Sequence, residues 1–312
     1  MDLYRRQAQN RRRTLAFLLF FVAAFAALGL GLDVAAYGFL AGGEPLPLAT
    51  IAATLFSSGL ALNSYFNGSR LVIASLLATP LRLEVVEHRQ LHNIVTEMAL
   101  AAGLPLPRIF VIPDPAPNAL ATGRDPAHAA IAVTEGALIL LDREETQGVV
   151  AHEMAHIANR DTLLMTAVGV LLGGLVMLAD WARRGVYFGR GGRRRGGPWL
   201  VVVVVLLALI TPLLSRLLAM AISRQREYLA DATAAELTRN PLGLASALEK
   251  IGAAATPLRT ATRGTAHLFI SDPLRRWADA REGRLGDLLA THPPLARRIA
   301  VLRALAQGGT HE

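Results

Sequence analysis

The sequence contains no cysteine. Disulfides and thiolate ligands are therefore excluded, and any metal must be held by histidine and carboxylate side chains. The absence fits a reducing compartment. Lysine is almost missing as well: Lys250 is the only one, so nearly all basic charge is arginine. A genomic base-composition bias accounts for that without invoking mechanism. No G-x-x-x-x-G-K phosphate loop occurs, so this chain houses no ATP-driven step of that type. There is no internal repeat, which excludes a solenoid. The net charge of +8 raises the question of nucleic acid. However, the arginines flank apolar runs, and no basic face is interleaved with aromatics, which make up 6% of the chain. Membrane-surface charge is the better reading, and no nucleic-acid partner is expected.

What the chain has is apolar length. Of its 312 residues 53% are hydrophobic, and its mean hydropathy of +0.38 is high for a soluble enzyme. Thr14 to Leu32 is uncharged and follows Arg5, Arg6, Arg11, Arg12 and Arg13. At about 1.5 Å per residue such a run approaches the ~30 Å hydrocarbon thickness. A cleaved signal peptide shares that pattern, but the run is long for one and others follow. A second span is expected near 46–66. Two more runs, 162–179 and 198–215, form an expected hydrophobic hairpin. The positive-inside rule puts the N-terminus in the cytoplasm, and two spans return the chain there by residue 80. The hairpin loop carries Arg183, Arg184, Arg190, Arg193, Arg194 and Arg195, which opposes a full crossing by the same rule. The expected organisation is a membrane region over 1–80, catalytic segments over 81–161 and 222–308 flanking the hairpin at 162–221, and a tail at 309–312.

The chemistry is concentrated in His152-Glu153-Met154-Ala155-His156. Asp142 and Glu145 resemble a capping box, and Gln147 to Asn159 lacks proline, so the segment reads as helix. Four residues are about one turn, and both imidazoles share a face, as a tetrahedral zinc ion requires. Glu153 adjoins the first histidine, where it can take a proton from an attacking water. The plainer alternative is a chance match on an amphipathic helix. Asn159 and Thr162 stand where a metzincin would have glycine and a third histidine. A glutamate from a second helix is the other common third ligand. Glu227 and Asp231, one turn apart in Ser223 to Asp231, fit that role: Glu227 as ligand, Asp231 as hydrogen-bond partner of a ligating imidazole. A solvated charged face, with Arg224 paired to Glu227, is the alternative. His88 and His92 form a rival pair, but no glutamate follows His88 and Arg89 adds a cation. A surface helix over Leu83 to Ala102 is the simpler reading.

Arg108 to Ile112, Asn118 to Gly123 and Ala129 to Thr134 read as strands, the last two joined by a turn at Asp125-Pro126. A small sheet against the zinc helix follows. Its edge, Asn118, Ala119, Leu120 and Ala121, is the candidate substrate strand. Asn240 caps a helix starting at Pro241. Pro293-Pro294 begins a final helix in which Arg297 or Arg298 can pair with a buried carboxylate.

HEMAH followed by SRQREYLAD resembles the HtpX-type membrane zinc metalloproteases, whose clan includes the CAAX prenyl proteases. Asn118 to Gly123, Ala132 to Gly136 and Thr291-His292-Pro293-Pro294 follow in family order. Leu120 replaces a frequent phenylalanine. The resemblance implies a mainly α fold with a small β-sheet, a gluzincin-like catalytic domain fused to transmembrane helices. It implies one Zn2+ held by His152, His156 and Glu227, Glu153 as general base and His292 as an oxyanion stabiliser. It also implies a multi-pass protein of the bacterial inner membrane, facing the cytoplasm and cleaving polypeptides, membrane proteins among them. A CAAX-type processing protease and a non-catalytic zinc-stabilised scaffold are the competing readings.

Overall fold

The computed structural model describes residues 3–37, 46–188, 224–254, 256–262, 264–273 and 293–308. The first two helices, α1 (Leu3–Tyr37) and α2 (Leu48–Ser75), pack together. Pro47 gives α2 no side-chain cap. Asp33, near the end of α1, does so instead, accepting from the main-chain N–H of Ala49 (2.9 Å) and Thr50 (2.8 Å). The pair therefore folds back on itself. Among the described residues one helix, Gln7–Val34, is long and apolar enough to cross a membrane, with mean hydropathy 2.6. The second expected span is helical but falls short of that measure. Ser57, Ser58, Asn63, Ser64 and Asn67 interrupt it.

The sheet has four strands in the order β1-β2-β4-β3: β1 (Thr79–Pro80), β2 (Arg108–Ile112), β3 (Ala119–Thr122) and β4 (Ala130–Thr134). β2 and β4 run parallel with Phe110 opposite Ala132, while β3 and β4 are antiparallel with Leu120 opposite Ala132. A 3-10 turn at Pro126–His128, capped by Asp125, connects β3 to β4 as expected. Sequence reasoning missed β1, which is only two residues long. Every residue of β3 and β4 is buried, so both faces of the sheet are covered.

Below the sheet, α3 (Val86–Ala102) places Leu91, Ile94, Val95, Met98 and Ala99 in the core, the helical spacing of one apolar face. It ends at Gly103, whose φ of 64° is a left-handed cap. A short α4 (Glu135–Leu140) leads into α5 (Arg143–Ala158), buried on all sides from Gly148 to Ile157. α6 (Asp161–Phe188) follows after a two-residue turn and begins the expected hairpin. The partner run at 198–215, the loop arginines beyond Phe188 and the 309–312 tail lie outside the described residues. α7 (Arg224–Thr238), α8 (Pro241–Ala253) and α9 (Leu295–Ala306) close the fold around α5.

Candidate active site

The helix that carries His152 and His156 is fixed at its start by a true capping box. Asp142 accepts from the Glu145 N–H and Glu145 from the Asp142 N–H, each at 2.9 Å. Glu145 also accepts from Lys250 at 2.7 Å and from Ser246, tying α8 to the same turn. At Gly148 a side chain would stand 2.7 Å from the Leu244 main-chain nitrogen, so α5 and α8 meet backbone to backbone there. Asn240 caps α8 through the Gly243 N–H, as its sequence position predicts.

One turn of α5 then aims His152 and His156 at each other, with ring planes at 87° and Nε2 atoms 3.2 Å apart. Glu227, from α7, completes a triangle. Its carboxylate oxygens lie 3.8 Å from His152 Nε2 and 3.6 Å from His156 Nε2. All three residues are buried, and among the described residues they are the group able to hold a metal ion. The rival pair takes no part: His88 Nδ1 accepts from the Arg82 N–H at 3.1 Å.

The far sides of the rings are equally ordered. His152 Nδ1 lies 2.9 Å from Asp231 and His156 Nδ1 lies 3.3 Å from Asp161. With each Nδ1–H given to a carboxylate, both Nε2 lone pairs face one another and Glu227. Three acceptors so close together require a cation between them. A tetrahedral ion with arms of about 2.1 Å spaces its ligands roughly 3.4 Å apart, close to the distances observed here.

Arg298, fully buried, forks onto Asp231 at 2.8 and 2.7 Å, reaches Glu227 at 3.3 Å and donates to the Ile270 carbonyl at 2.9 Å. Of the two arginines proposed from sequence, this one enters the site; Arg297 is exposed. Burial, reinforced by Arg298, pushes the His152 pKa down to about 4 despite its bond to Asp231, leaving it a neutral ligand. Burial also acts to lower His156, but the bond to Asp161 and the charge of Glu227 outweigh it and raise its pKa to about 9. Without a metal, that proton serves as the site's cation. Burial, with Glu227 adding to it, lifts Glu153 to about 7, although His156, Arg298 and the Ala121 N–H act against the rise.

That last contact places Glu153 against β3, the end strand of the sheet. The strand is less open than expected. Ile270 donates to the Ala119 carbonyl at 3.0 Å, Asn118 Nδ2 donates to the Ser271 carbonyl at 3.0 Å, and Phe269 bridges to Leu120. Phe269 to Ser271 thus lie along the first half of the expected substrate edge at Asn118, Ala119, Leu120 and Ala121. Sequence reasoning also missed Asp161. It stands five residues past His156, beyond a turn made by Arg160 in a left-handed conformation (φ 57°), so helical spacing does not point to it. His292 lies outside the described residues.

The chain is similar to several known proteins. The family described as Peptidase family M48 matches residues 86–306. A protein named "Protease HtpX homolog" from Caldanaerobacter subterraneus subsp. tengcongensis is 43% identical over 309 residues, 97% of this chain and 98% of its own length. One from Pyrococcus furiosus is 41% identical over 271 residues, 86% of this chain and 90% of its own. The crystal structure of S. mikatae Ste24p aligns with 96% of this chain and 67% of that one, at 19% identity and a TM-score of 0.48. On the family match and the near full-length relatives, this chain is a metalloprotease and belongs to peptidase family M48.

Proposed function

We propose that the chain is a membrane-anchored zinc endopeptidase that cuts misfolded or already exposed segments of membrane proteins at the cytoplasmic face of the bacterial inner membrane, without ATP. The observation carrying this reading is the buried triangle of His152, His156 and Glu227 with Glu153 beside it. The two imidazoles and the single carboxylate suit Zn2+, and a catalytic site of three protein ligands keeps a fourth position for solvent. When bound, the zinc would supply a Lewis acid that polarises the scissile carbonyl and lowers the pKa of water to about 7.

The chain's own residues do the rest. Asp231 and Asp161 hold the Nδ1 protons and so fix both ring orientations. A Glu153 carboxylate oxygen takes the proton of the attacking water and delivers it to the leaving amide nitrogen, two tasks that a pKa near 7 suits. The substrate strand enters beside Ala121, past the stretch that Phe269 to Ser271 cover. His292 remains the oxyanion stabiliser that the family resemblance implies. The polypeptide-chain substrates follow from the family. The membrane setting rests on the apolar Gln7–Val34 helix with basic residues before it, and the two-span region with a second hydrophobic hairpin remains the organisation we favour.

Casein cleavage by the detergent-purified full chain tests this. Activity should vanish with a chelator and return with zinc, in preference to magnesium or calcium. Cleavage that persists after complete metal removal would overturn the reading.

A further inference from the structure

Away from the metal site, a cleft of about 320 Å³ opens where α2, the sheet and α6 meet. Arg70 of α2, Arg108 at the start of β2 and Arg124 just after β3 line it, and among the described residues no acidic one does. Arg108 donates to Ser69 Oγ at 3.3 Å. Arg124 sits 5.7 Å above the Phe66 ring and donates to the Phe66 carbonyl at 3.4 Å. Its Nε lies 3.4 Å from Asp125, the nearest countercharge, whose other oxygen holds His128 at 2.6 Å. Arg70 is exposed, and no ion pair or side-chain hydrogen bond engages it among the described residues. Three guanidinium groups thus face one cleft with a single carboxylate to balance them.

The position of the cleft along α2 says what it meets. Leu55, Leu62 and Phe66 are 69%, 60% and 58% exposed, an outward apolar strip. Arg70 follows Phe66 by one turn. Because α1 runs back against α2, the same level carries exposed Arg11, Arg12 and Arg13. An apolar strip that ends in arginines is the pattern of a boundary between acyl chains and headgroups. A planar guanidinium suits a phosphate through paired N–H donors, and several around one cleft favour a fixed anion over diffuse surface charge.

We infer that this cleft binds the phosphate of an anionic phospholipid headgroup, with Arg70, Arg108 and Arg124 as donors and Phe66 and Leu62 against the first acyl carbons. The inference rests on the reading that α1 and α2 lie in a membrane. A lipid held there clamps the catalytic domain at a fixed height on the bilayer, because Arg108 begins β2 and Arg124 follows directly on β3 while Arg70 belongs to α2.

The test uses the full chain in non-ionic detergent, with phosphatidylglycerol or phosphatidylcholine added and bound lipid read by native mass spectrometry. Phosphatidylglycerol should be retained about tenfold over phosphatidylcholine. Arg70→Gln alone, which removes no contact of the fold, should reduce that preference. The combined Arg70→Gln, Arg108→Gln and Arg124→Gln chain should lose it. Equal retention of both lipids, or unchanged preference in the combined variant, overturns the proposal. Displacement of the lipid by equimolar inorganic phosphate overturns the lipid source and leaves a phosphate site. Extraction of membranes with alkaline carbonate separates the two readings. A chain released into solution sinks the membrane reading itself, whereas one that stays with the membrane yet lacks lipid preference sinks this inference alone.

Discussion

Asn10 Nδ2 lies 2.6 Å from Asp161 Oδ1, joining the first turns of α1 to a residue 151 positions later. The same amide donates to the Asn159 carbonyl at 2.9 Å, and Gln7 donates to the Ala158 carbonyl at 2.8 Å. The other oxygen of Asp161 faces His156 Nδ1. The N-terminal helix is therefore more than an anchor, because it helps to hold the carboxylate that orients a metal ligand. Asn10→Ala leaves a buried carboxylate short of one donor, at about 1–3 kcal/mol. Zinc affinity should fall about tenfold, the low end of what outer partners of a metal site contribute. Competition with a chromophoric chelator measures it. An unchanged affinity would reduce the role of α1 to anchoring.

Glu153→Gln preserves shape and burial but removes the base. Metal content by elemental analysis should stay at one zinc per chain, while kcat falls by about 10²–10⁴-fold. In the wild type, activity should decline on the acid side, because the base must be ionised to accept a proton, and its pKa is about 7 in the metal-free site. A bound dication favours the ionised form and moves that limb lower. A Gln variant that still cuts at wild-type rate would remove Glu153 from the reaction.

Much of this site could be read from spacing. His152, Glu153 and His156 fall within one turn, Glu227 and Asp231 within another, and the Asp142–Glu145 cap precedes them, because helical geometry converts short separations directly into shared faces. The partners that depend on tertiary packing could not be read so. Arg298 and Arg297 are neighbours in sequence, and only the docking of α9 decides which is buried. Asp161 lies past a left-handed turn, and Asn10 arrives from another helix. Phe269 to Ser271 reach β3 through a bridge with no strand pattern of its own. The two-residue β1 is too short for any periodicity to announce.

Arg298 makes a specific prediction about stability. It pairs with both Asp231 and Glu227, and it is wholly buried. Arg298→Met takes the paired guanidinium donors from Asp231 and the positive charge from beside Glu227, and breaking such a buried pair costs about 3–5 kcal/mol. Arg298→Lys should recover only part of this, since a point charge cannot fork onto Asp231 while reaching the Ile270 carbonyl. Thermal unfolding of the zinc-loaded chain checks both. A Lys variant as stable as wild type would show that charge alone matters there.

The metal-free chain should respond to alkali in a way that the loaded chain does not. Folding raises the His156 pKa from 6.5 to about 9. Between those values the native state holds a proton that the unfolded state has released, so unfolding becomes easier as pH rises. The contribution is complete below pH 6.5 and gone above about 9. Glu153, raised from 4.5 to about 7, adds a loss of the same sign at lower pH. His152, lowered to about 4, acts oppositely and only below pH 6.5. The window from pH 7 to 9 therefore belongs to His156, and a destabilisation of a few kcal/mol is expected across it. Zinc on Nε2 displaces that proton and should flatten the profile. Melting temperatures of chelator-treated and zinc-loaded protein from pH 7 to 9 test this. Parallel curves would mean that no proton takes the place of the metal between His152, His156 and Glu227.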